Sequence, residues 1–151
     1  MRVHPNGFVS FTDVPGYPPG GVYGNNALPQ KSWLNPIVAP FWDTMQFGTD
    51  GGIYTRFVDG AAGSRQFVVE WRKALITGTS ATVTFDAVFH EDGRIVFHYG
   101  TVTAGPASGA SATIGVENHA GTGARTYSFN EESVTSNMSI TWTPAPKARS
   151  A

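Results

Sequence analysis

The fold class of this chain is decided by residues 67–100, which read FVVEWRKALITGTSATVTFDAVFHEDGRIVFHYG. Apolar side chains alternate with others over 67–71, and again on both sides of the turn formed by Glu91, Asp92 and Gly93. A period of two is typical of β-strands, and a glycine-containing turn between two such runs is typical of a hairpin. The stretch therefore predicts a strand followed by a β-hairpin, and an all-β protein.

The register of this hairpin depends on the length of its loop. A two-residue loop at Asp92 and Gly93 would pair Phe89 with Val96 and mix both faces. A three-residue loop with Gly93 in the left-handed conformation gives one wholly apolar face. Its pairs are Phe89–Ile95, Ala87–Phe97 and Phe85–Tyr99 on that face, and Asp86–His98, Val88–Val96 and His90–Arg94 on the other. Because a slip of one residue would expose the aromatic set to water, we predict the three-residue loop.

Composition supports the same class. The chain has 151 residues, enough for one domain with a substantial core. Aromatic residues make up 13% and charged residues only 14%, with 18 glycines and 10 prolines. This balance suits short strands joined by turns, and no helical period is evident. The net charge of −1 gives no electrostatic indication of a nucleic-acid partner.

Cysteine is absent, which excludes disulfides, thiol catalysis and cysteine-ligated zinc. No apolar run is long enough for a transmembrane helix, so we expect no membrane span. Residues 1–4 lead directly into a strand pattern without a signal peptide. Either the protein is intracellular or this chain is part of a longer one.

Turn signals divide the chain into eight or nine short strands. We predict strands within residues 3–11, 37–42, 52–58, 66–71, 82–99, 111–117, 125–129 and 139–142, with loops at 13–36 and 43–52. This pattern indicates an antiparallel β-sandwich or flattened barrel. We expect a single domain over residues 1–143 and a Pro/Ala-rich tail or linker over 144–151.

The order of several short motifs resembles the nidogen-type (NIDO) extracellular domain and its bacterial relatives. The matching segments are NGFVSF (6–11), APFWD (39–43), GIY (52–54), FVVEW (67–71), TFDAVF (84–89), IVFHYG (95–100) and ATIGVEN (112–118). Two departures matter. The bacterial pattern usually has one or more strands before the first segment, whereas this chain begins at it, so we expect the sheet to lack an edge strand or to receive one from a neighbour. Thr44 follows Asp43 where the family often has a second acidic residue.

The resemblance implies an adhesive, scaffold or binding module of the cell exterior, within a larger secreted or surface protein. It implies no shared catalytic activity. A missing first strand would leave a sheet edge unpaired, which favours a homo-oligomer assembled through an edge strand.

Asp86 and His98 are the first candidates for catalysis, because an Asp–His pair is two-thirds of a nucleophilic triad. Ser80, Thr84 or Thr101 would supply the hydroxyl, although no Gly-x-Ser-x-Gly elbow is present. The structural alternative, a surface cross-strand pair, is preferred.

Carboxylates suited to acid–base chemistry are Glu70, Asp43 and Asp50, since glycosidases require two at short distance. Structural roles are preferred for Glu70 and Asp43. At the hairpin tip, His90, Glu91, Asp92 and Arg94 form a charged cluster, but turn chemistry explains it better than a metal ion. We therefore predict no metal and no cofactor.

The loop aromatics Tyr17, Tyr23 and Trp33 form either a sugar-binding platform or a lid over the sheet. With Asp50, they are the predicted ligand-binding residues. The sequence thus favours a non-catalytic module that binds a glycan or a protein surface, and not nucleic acid. The alternative is a small secreted hydrolase of esters or glycosides that uses Asp86 with His98, or Glu70 with Asp43.

Overall fold

The computed structural model describes residues 1–12, 24–31, 34–103 and 105–146. It contains two antiparallel sheets of five strands each, which are not closed into a barrel. The first sheet has the order β1-β2-β3-β8-β9 and the second has the order β10-β7-β6-β5-β4. The strands are β1 Arg2–His4, β2 Phe8–Ser10, β3 Ile37–Trp42, β4 Met45–Val58, β5 Gln66–Ile76, β6 Thr82–His90, β7 Ile95–Val102, β8 Thr113–Glu117, β9 Ala124–Phe129 and β10 Met138–Trp142.

The hairpin of β6 and β7 has the three-residue loop and the register predicted from the sequence. Phe89 pairs with Ile95, Phe85 pairs with Tyr99, and Asp86 pairs with His98. The His90 carbonyl accepts a bond of 2.9 Å from the Gly93 amide, and Gly93 has a φ of 91°. A positive φ at this position costs glycine little, which is why the local sequence could determine the loop.

The main core lies between the two sheets. The largest side chains in it are fully buried aromatic residues from both layers: Phe41, Trp71, Phe85, Phe97 and Tyr99. Because the sheets present their apolar faces to each other, the opposite face of the second sheet carries the polar side chains of its strands, together with the Val88–Val96 pair.

A second, smaller cluster lies on the outer face of the first sheet. There Leu28 and Leu34, from the long connection before β3, pack on Ile37, Ala39 and Trp42. This cover explains why all six residues of β3 are buried. Tyr17, Tyr23 and Trp33 of this connection, which the sequence predicts to form either a sugar-binding platform or a lid, lie outside the described residues.

The loop predicted at residues 43–52 is wrong over most of its length. Met45–Val58 is a single strand, interrupted by an irregularity between Phe47 and Gly52. On the facing strand, Trp71 and Ala74 are both fully buried although they are three residues apart, because a bulge lies between them. A bulge breaks the period of two, so local alternation did not reveal that both strands continue.

Candidate functional site

The most chemically varied surface of the described structure is the outer face of the second sheet. One row of paired positions crosses all five strands: Tyr54, Glu70, Asp86, His98 and Ser139. Directly paired residues in a sheet share a face, and their sequence neighbours point into the core. We call these five residues the polar row.

At the centre of the polar row, His98 Nδ1 lies 2.7 Å from Asp86 Oδ1. The imidazole is about half exposed, whereas the carboxylate is less so. Burial raises the pKa of Asp86, the hydrogen bond from His98 opposes this shift, and the nearby Glu70 adds to it. A carboxylate that accepts from Nδ1 orients the ring and leaves Nε2 available, as in a nucleophilic triad.

Glu70 is held by an arginine two residues further along β5. Arg72 donates to both carboxylate oxygens, through Nε at 3.1 Å and Nη2 at 2.8 Å. The Arg72 guanidinium carbon also lies 4.4 Å from the centroid of the Tyr54 ring. This side of the polar row is therefore a linked acid–cation–aromatic arrangement, in which Glu70 is already paired.

The other side of the polar row borders an open depression of about 400 Å³. Its lining includes Glu70, Asp86, His98, Thr84 and Ser139. Of the hydroxyls suggested by the sequence, Thr84 lines this depression, and its Oγ1 accepts from the Lys73 amide at 3.0 Å. Thr101 lines a different depression with Asp50 and Lys73.

Sequence reasoning missed Ser139, which the strand pairing aligns with His98. Met138, Ile140 and Trp142 pack against the core, so alternation along β10 indicates that Ser139 points outward. That signal was available in the sequence. The pairing of β10 with β7 was not, because it joins distant segments.

The fold does not place the Asp43 carboxylate next to that of Glu70. Asp43 follows β3, is buried, and accepts bonds from the Thr44 amide at 2.7 Å and the Ser111 hydroxyl at 2.6 Å. Burial raises the pKa of Asp43, and both bonds partly offset that shift. Glu70 faces away from the first sheet, so the two carboxylates do not share a cleft. Asp43 joins the connection after β3 to the residues before β8.

Asp50 lies in the irregular part of β4, where it is exposed and paired with Lys73. The bond from Lys73 lowers the pKa of this carboxylate. At the hairpin tip each acid is paired with an arginine, since Asp92 binds Arg94 and Glu91 binds Arg65. In the described part of the chain, no group of three His, Asp or Glu side chains is arranged to hold a metal ion.

The long edge strand β4 is a second exposed feature. Tyr54 is 47% exposed and Phe57 is 60% exposed, and among the described strands β4 pairs on one side only, with β5. Between residues 52 and 58 its register with β5 is regular.

No helix among the described residues is long and apolar enough to cross a membrane.

A family model described as NIDO related matches residues 1–149. Neither a search of curated proteins nor a search of solved structures finds a match to this chain.

Proposed function

Since this chain belongs to the NIDO-related family, we propose that it is a non-catalytic binding module of an extracellular protein, which adheres through strand β4 to a second copy of itself. The observation that supports this function is the edge of the second sheet. There, residues 52–58 form a regular strand without proline, Arg56 is its one charged side chain, and two of its aromatic side chains are exposed. Soluble proteins usually block such an edge with charges, prolines or a covering segment.

Antiparallel pairing of two β4 strands about a two-fold axis at Thr55 gives matched neighbours. Tyr54 of each copy then lies opposite Arg56 of the other, on the face that carries the polar row. On the opposite face, Phe57 lies opposite Ile53 of the other copy. A cation beside an aromatic ring and an apolar pair are both favourable cross-strand neighbours. An isologous contact of this kind closes on itself as a dimer.

Sedimentation velocity of the chain over a wide concentration range tests this proposal. We expect a reversible monomer–dimer equilibrium of micromolar or weaker affinity, because one strand pair buries little surface. Thr55→Lys should abolish the dimer, since it places two ammonium groups at the two-fold axis. Thr141→Lys is the matched control, because Thr141 is an exposed threonine on β10, the opposite edge of the same sheet.

A chain that remains monomeric at every concentration would overturn self-association. A dimer that persists in Thr55→Lys, with the same thermal unfolding midpoint as the unmodified chain, would also overturn it. Association that Thr141→Lys abolishes and Thr55→Lys leaves intact would assign the contact to β10 instead.

A second candidate function is hydrolysis, and the Asp86–His98 contact favours it together with the alignment of Ser139. Asp86 would orient His98, and Nε2 would take the Ser139 proton as the hydroxyl oxygen attacks an ester carbonyl. The imidazolium would return that proton to the departing alcohol as the ester C–O bond breaks, and water would then hydrolyse the acyl-enzyme. Against it, the polar row lies on an open sheet face, where water competes for every group.

Hydrolysis of p-nitrophenyl acetate and butyrate separates the two functions. For a binding module we expect no turnover that depends on His98. Turnover that falls to background in both His98→Ala and Ser139→Ala, but persists in His119→Ala, would replace the binding proposal with catalysis. His119 is an exposed histidine in the turn between β8 and β9, away from the polar row.

A further inference from the structure

The loop between β4 and β5, residues 59–65, is exposed along its whole length. It begins with Asp59 and Gly60, directly after the last residue of β4. The Gly60 amide donates to Oδ1 of the preceding Asp59 side chain at 2.8 Å. This contact places the main-chain nitrogen beside the carboxyl group that it would attack to close a five-membered succinimide ring.

The two halves of this loop are held differently. In the second half, the amides of Gly63 and Arg65 both donate to Glu91 Oε2, and the Arg65 side chain pairs with the same carboxylate. In the first half, no described residue forms an ion pair with Asp59, and the Gly60 amide is its one donor among the described residues. The Asp59 side chain is therefore not held away from its own main chain.

The Asp92–Gly93 pair at the hairpin tip is equally exposed but is arranged differently. The Gly93 amide donates to the His90 carbonyl at 2.9 Å, so it points away from the preceding carboxylate. That carboxylate accepts from the Arg94 amide at 3.0 Å and from Arg94 Nε at 2.7 Å. Both groups that ring closure requires are thus engaged with other atoms.

The third Asp–Gly pair, Asp50–Gly51, is also restrained. Lys73 pairs with the Asp50 carboxylate. Gly51 lies against β5, since a Cβ there would be 3.0 Å from the carbonyl oxygens of both Arg72 and Lys73. The strand leaves little room for the main-chain rotation that ring closure needs.

The Asn6–Gly7 pair is intrinsically the most reactive dipeptide of this type, because a side-chain amide releases ammonia more readily than a carboxyl group releases water at neutral pH. In the fold, however, the Gly7 amide donates to the His4 carbonyl at 3.1 Å, and Asn6 Oδ1 accepts from the Met45 amide at 3.3 Å. Gly7 is also buried. The turn between β1 and β2 therefore protects the pair.

Asp43 shows that the contact alone is not sufficient. The Thr44 amide donates to Asp43 Oδ1 at 2.7 Å, which is the same contact as at Asp59. Asp43 is buried, its other oxygen accepts from Ser111, and the branched side chain of Thr44 hinders attack by the amide nitrogen. Among the described residues, only Asp59 combines the contact, a following glycine and full exposure.

We propose that Asp59 is a site of spontaneous main-chain isomerisation. The Gly60 nitrogen forms a bond to Asp59 Cγ, and the hydroxyl of the protonated carboxyl group leaves as water with the amide proton. Water then opens the succinimide at either carbonyl. Breaking the new N–Cγ bond restores aspartate, whereas breaking the original peptide bond gives isoaspartate, in which the main chain runs through Cβ and Cγ. This site lies outside the strand pairing proposed for β4 and does not depend on it.

The test compares the folded chain with the same dipeptides in unstructured peptides. One sample is incubated folded for several weeks in neutral buffer, and a second is digested to peptides before the same incubation. Mass spectrometry with electron-transfer fragmentation then measures isoaspartate at positions 6, 50, 59 and 92. In the peptides we expect Asn6 to react fastest and the three Asp–Gly pairs to react at similar rates. In the folded chain we expect Asp59 to react roughly tenfold faster than any of the other three, because the contact positions the attacking nitrogen.

Two variants make the assignment specific. Asp59→Glu cannot close a five-membered ring, because its side chain is one methylene longer. Asp92→Glu is the matched control, since it removes another exposed Asp–Gly pair. Isoaspartate is counted by methyl transfer from S-adenosylmethionine with an isoaspartate-specific methyltransferase. The signal should fall to near background in Asp59→Glu and stay unchanged in Asp92→Glu.

The proposal is overturned if Asp50, Asp92 or Asn6 accumulates isoaspartate as fast as Asp59 in the folded chain. It is also overturned if Asp59→Glu accepts as many methyl groups as the unmodified chain, or if Asp59 stays unchanged in the fold while it reacts in the peptide. Thr55→Lys should isomerise at the same rate as the unmodified chain, so this result is independent of the β4 association.

Discussion

The phenol of Tyr99 on β7 donates a buried hydrogen bond of 2.6 Å to the carbonyl oxygen of Pro40 on β3. This bond crosses from the second sheet to the first. A second cross-sheet bond runs from Trp71 Nε1 on β5 to the His4 carbonyl on β1, at 2.9 Å. Aromatic residues that the sequence pattern predicts as core residues therefore also join the two sheets through hydrogen bonds of their polar atoms.

Tyr99→Phe keeps the ring and removes only the donor, leaving the Pro40 carbonyl without its partner. We expect a loss of about 1–3 kcal/mol in the free energy of unfolding, measured by urea denaturation. Tyr127→Phe is the control, since Tyr127 is exposed and its hydroxyl lies 3.5 Å from the Ser133 carbonyl. An equal loss in both variants would show that the buried bond to Pro40 contributes no more to stability than the exposed contact of Tyr127.

Acid should destabilise the fold through His4. This residue is buried, stacks on Phe8 at 4.0 Å between ring centroids, and lies 2.9 Å from Ser10 Oγ. Burial, and to a smaller extent the charge of Arg2, lowers the pKa of His4 from 6.5 to about 4. The unfolded chain therefore binds a proton in this window that the folded chain does not. The stability is present above pH 6.5 and is lost as pH falls towards 4.

The magnitude of the His4 effect is at most roughly 3 kcal/mol, from the pKa difference. His4→Gln does not titrate, so the difference in unfolding free energy between variant and parent should change by that order between pH 7 and 4. The prediction is contradicted if the difference in unfolding free energy between His4→Gln and the parent stays constant between pH 7 and 4. It is also contradicted if NMR titration of the folded protein gives the His4 imidazole a pKa near 6.5.

Gly7 lies in the turn between β1 and β2 with a φ of +80°, and a Cβ there would meet the Phe41 carbonyl oxygen at 1.8 Å. Gly7→Ala therefore combines backbone strain with a clash against main chain, and we expect a loss of about 3 kcal/mol or more. Gly24 has a φ of +79° with nothing within 4 Å of the same position. Gly24→Ala should cost only the strain, about 1–2 kcal/mol. Similar decreases of the thermal unfolding midpoint in Gly7→Ala and Gly24→Ala would contradict the close approach of Gly7 to the Phe41 carbonyl.

Asp43 should tolerate an amide but not a methyl group. In Asp43→Asn the amide oxygen can accept from Thr44 and the amide nitrogen can donate to Ser111, without a buried charge. Because burial raises the pKa of Asp43, removing the charge should leave stability at neutral pH unchanged or slightly higher. Asp43→Ala leaves both partners unpaired and should cost about 1–3 kcal/mol. Equal losses in both variants would indicate that Asp43 needs its charge.

The candidate site was only partly predictable. The contact between Asp86 and His98 followed from one hairpin, because alternation and the turn at Gly93 are both local. The neighbours Tyr54 and Ser139 come from strands whose pairing no local pattern specifies. Glu70 and Asp43 were predicted to act together only because both are carboxylates. In the structure, Glu70 lies on the outer face of the second sheet and Asp43 follows β3 of the first. The predicted ligand residues Tyr17, Tyr23 and Trp33 lie outside the described residues, so they stay predictions.

By itself, the sequence determined the all-β class, the β6–β7 hairpin with its register, and the family resemblance. These depend on a period of two, turn glycines and motif order, which act between residues close in the chain. Only the tertiary structure decided that β4 runs through Asp50 as an edge strand, that β10 completes the polar row, and that Asp43 lies apart from Glu70. Those relationships arise when distant segments pair to bury a shared core, and no short window of sequence contains both partners.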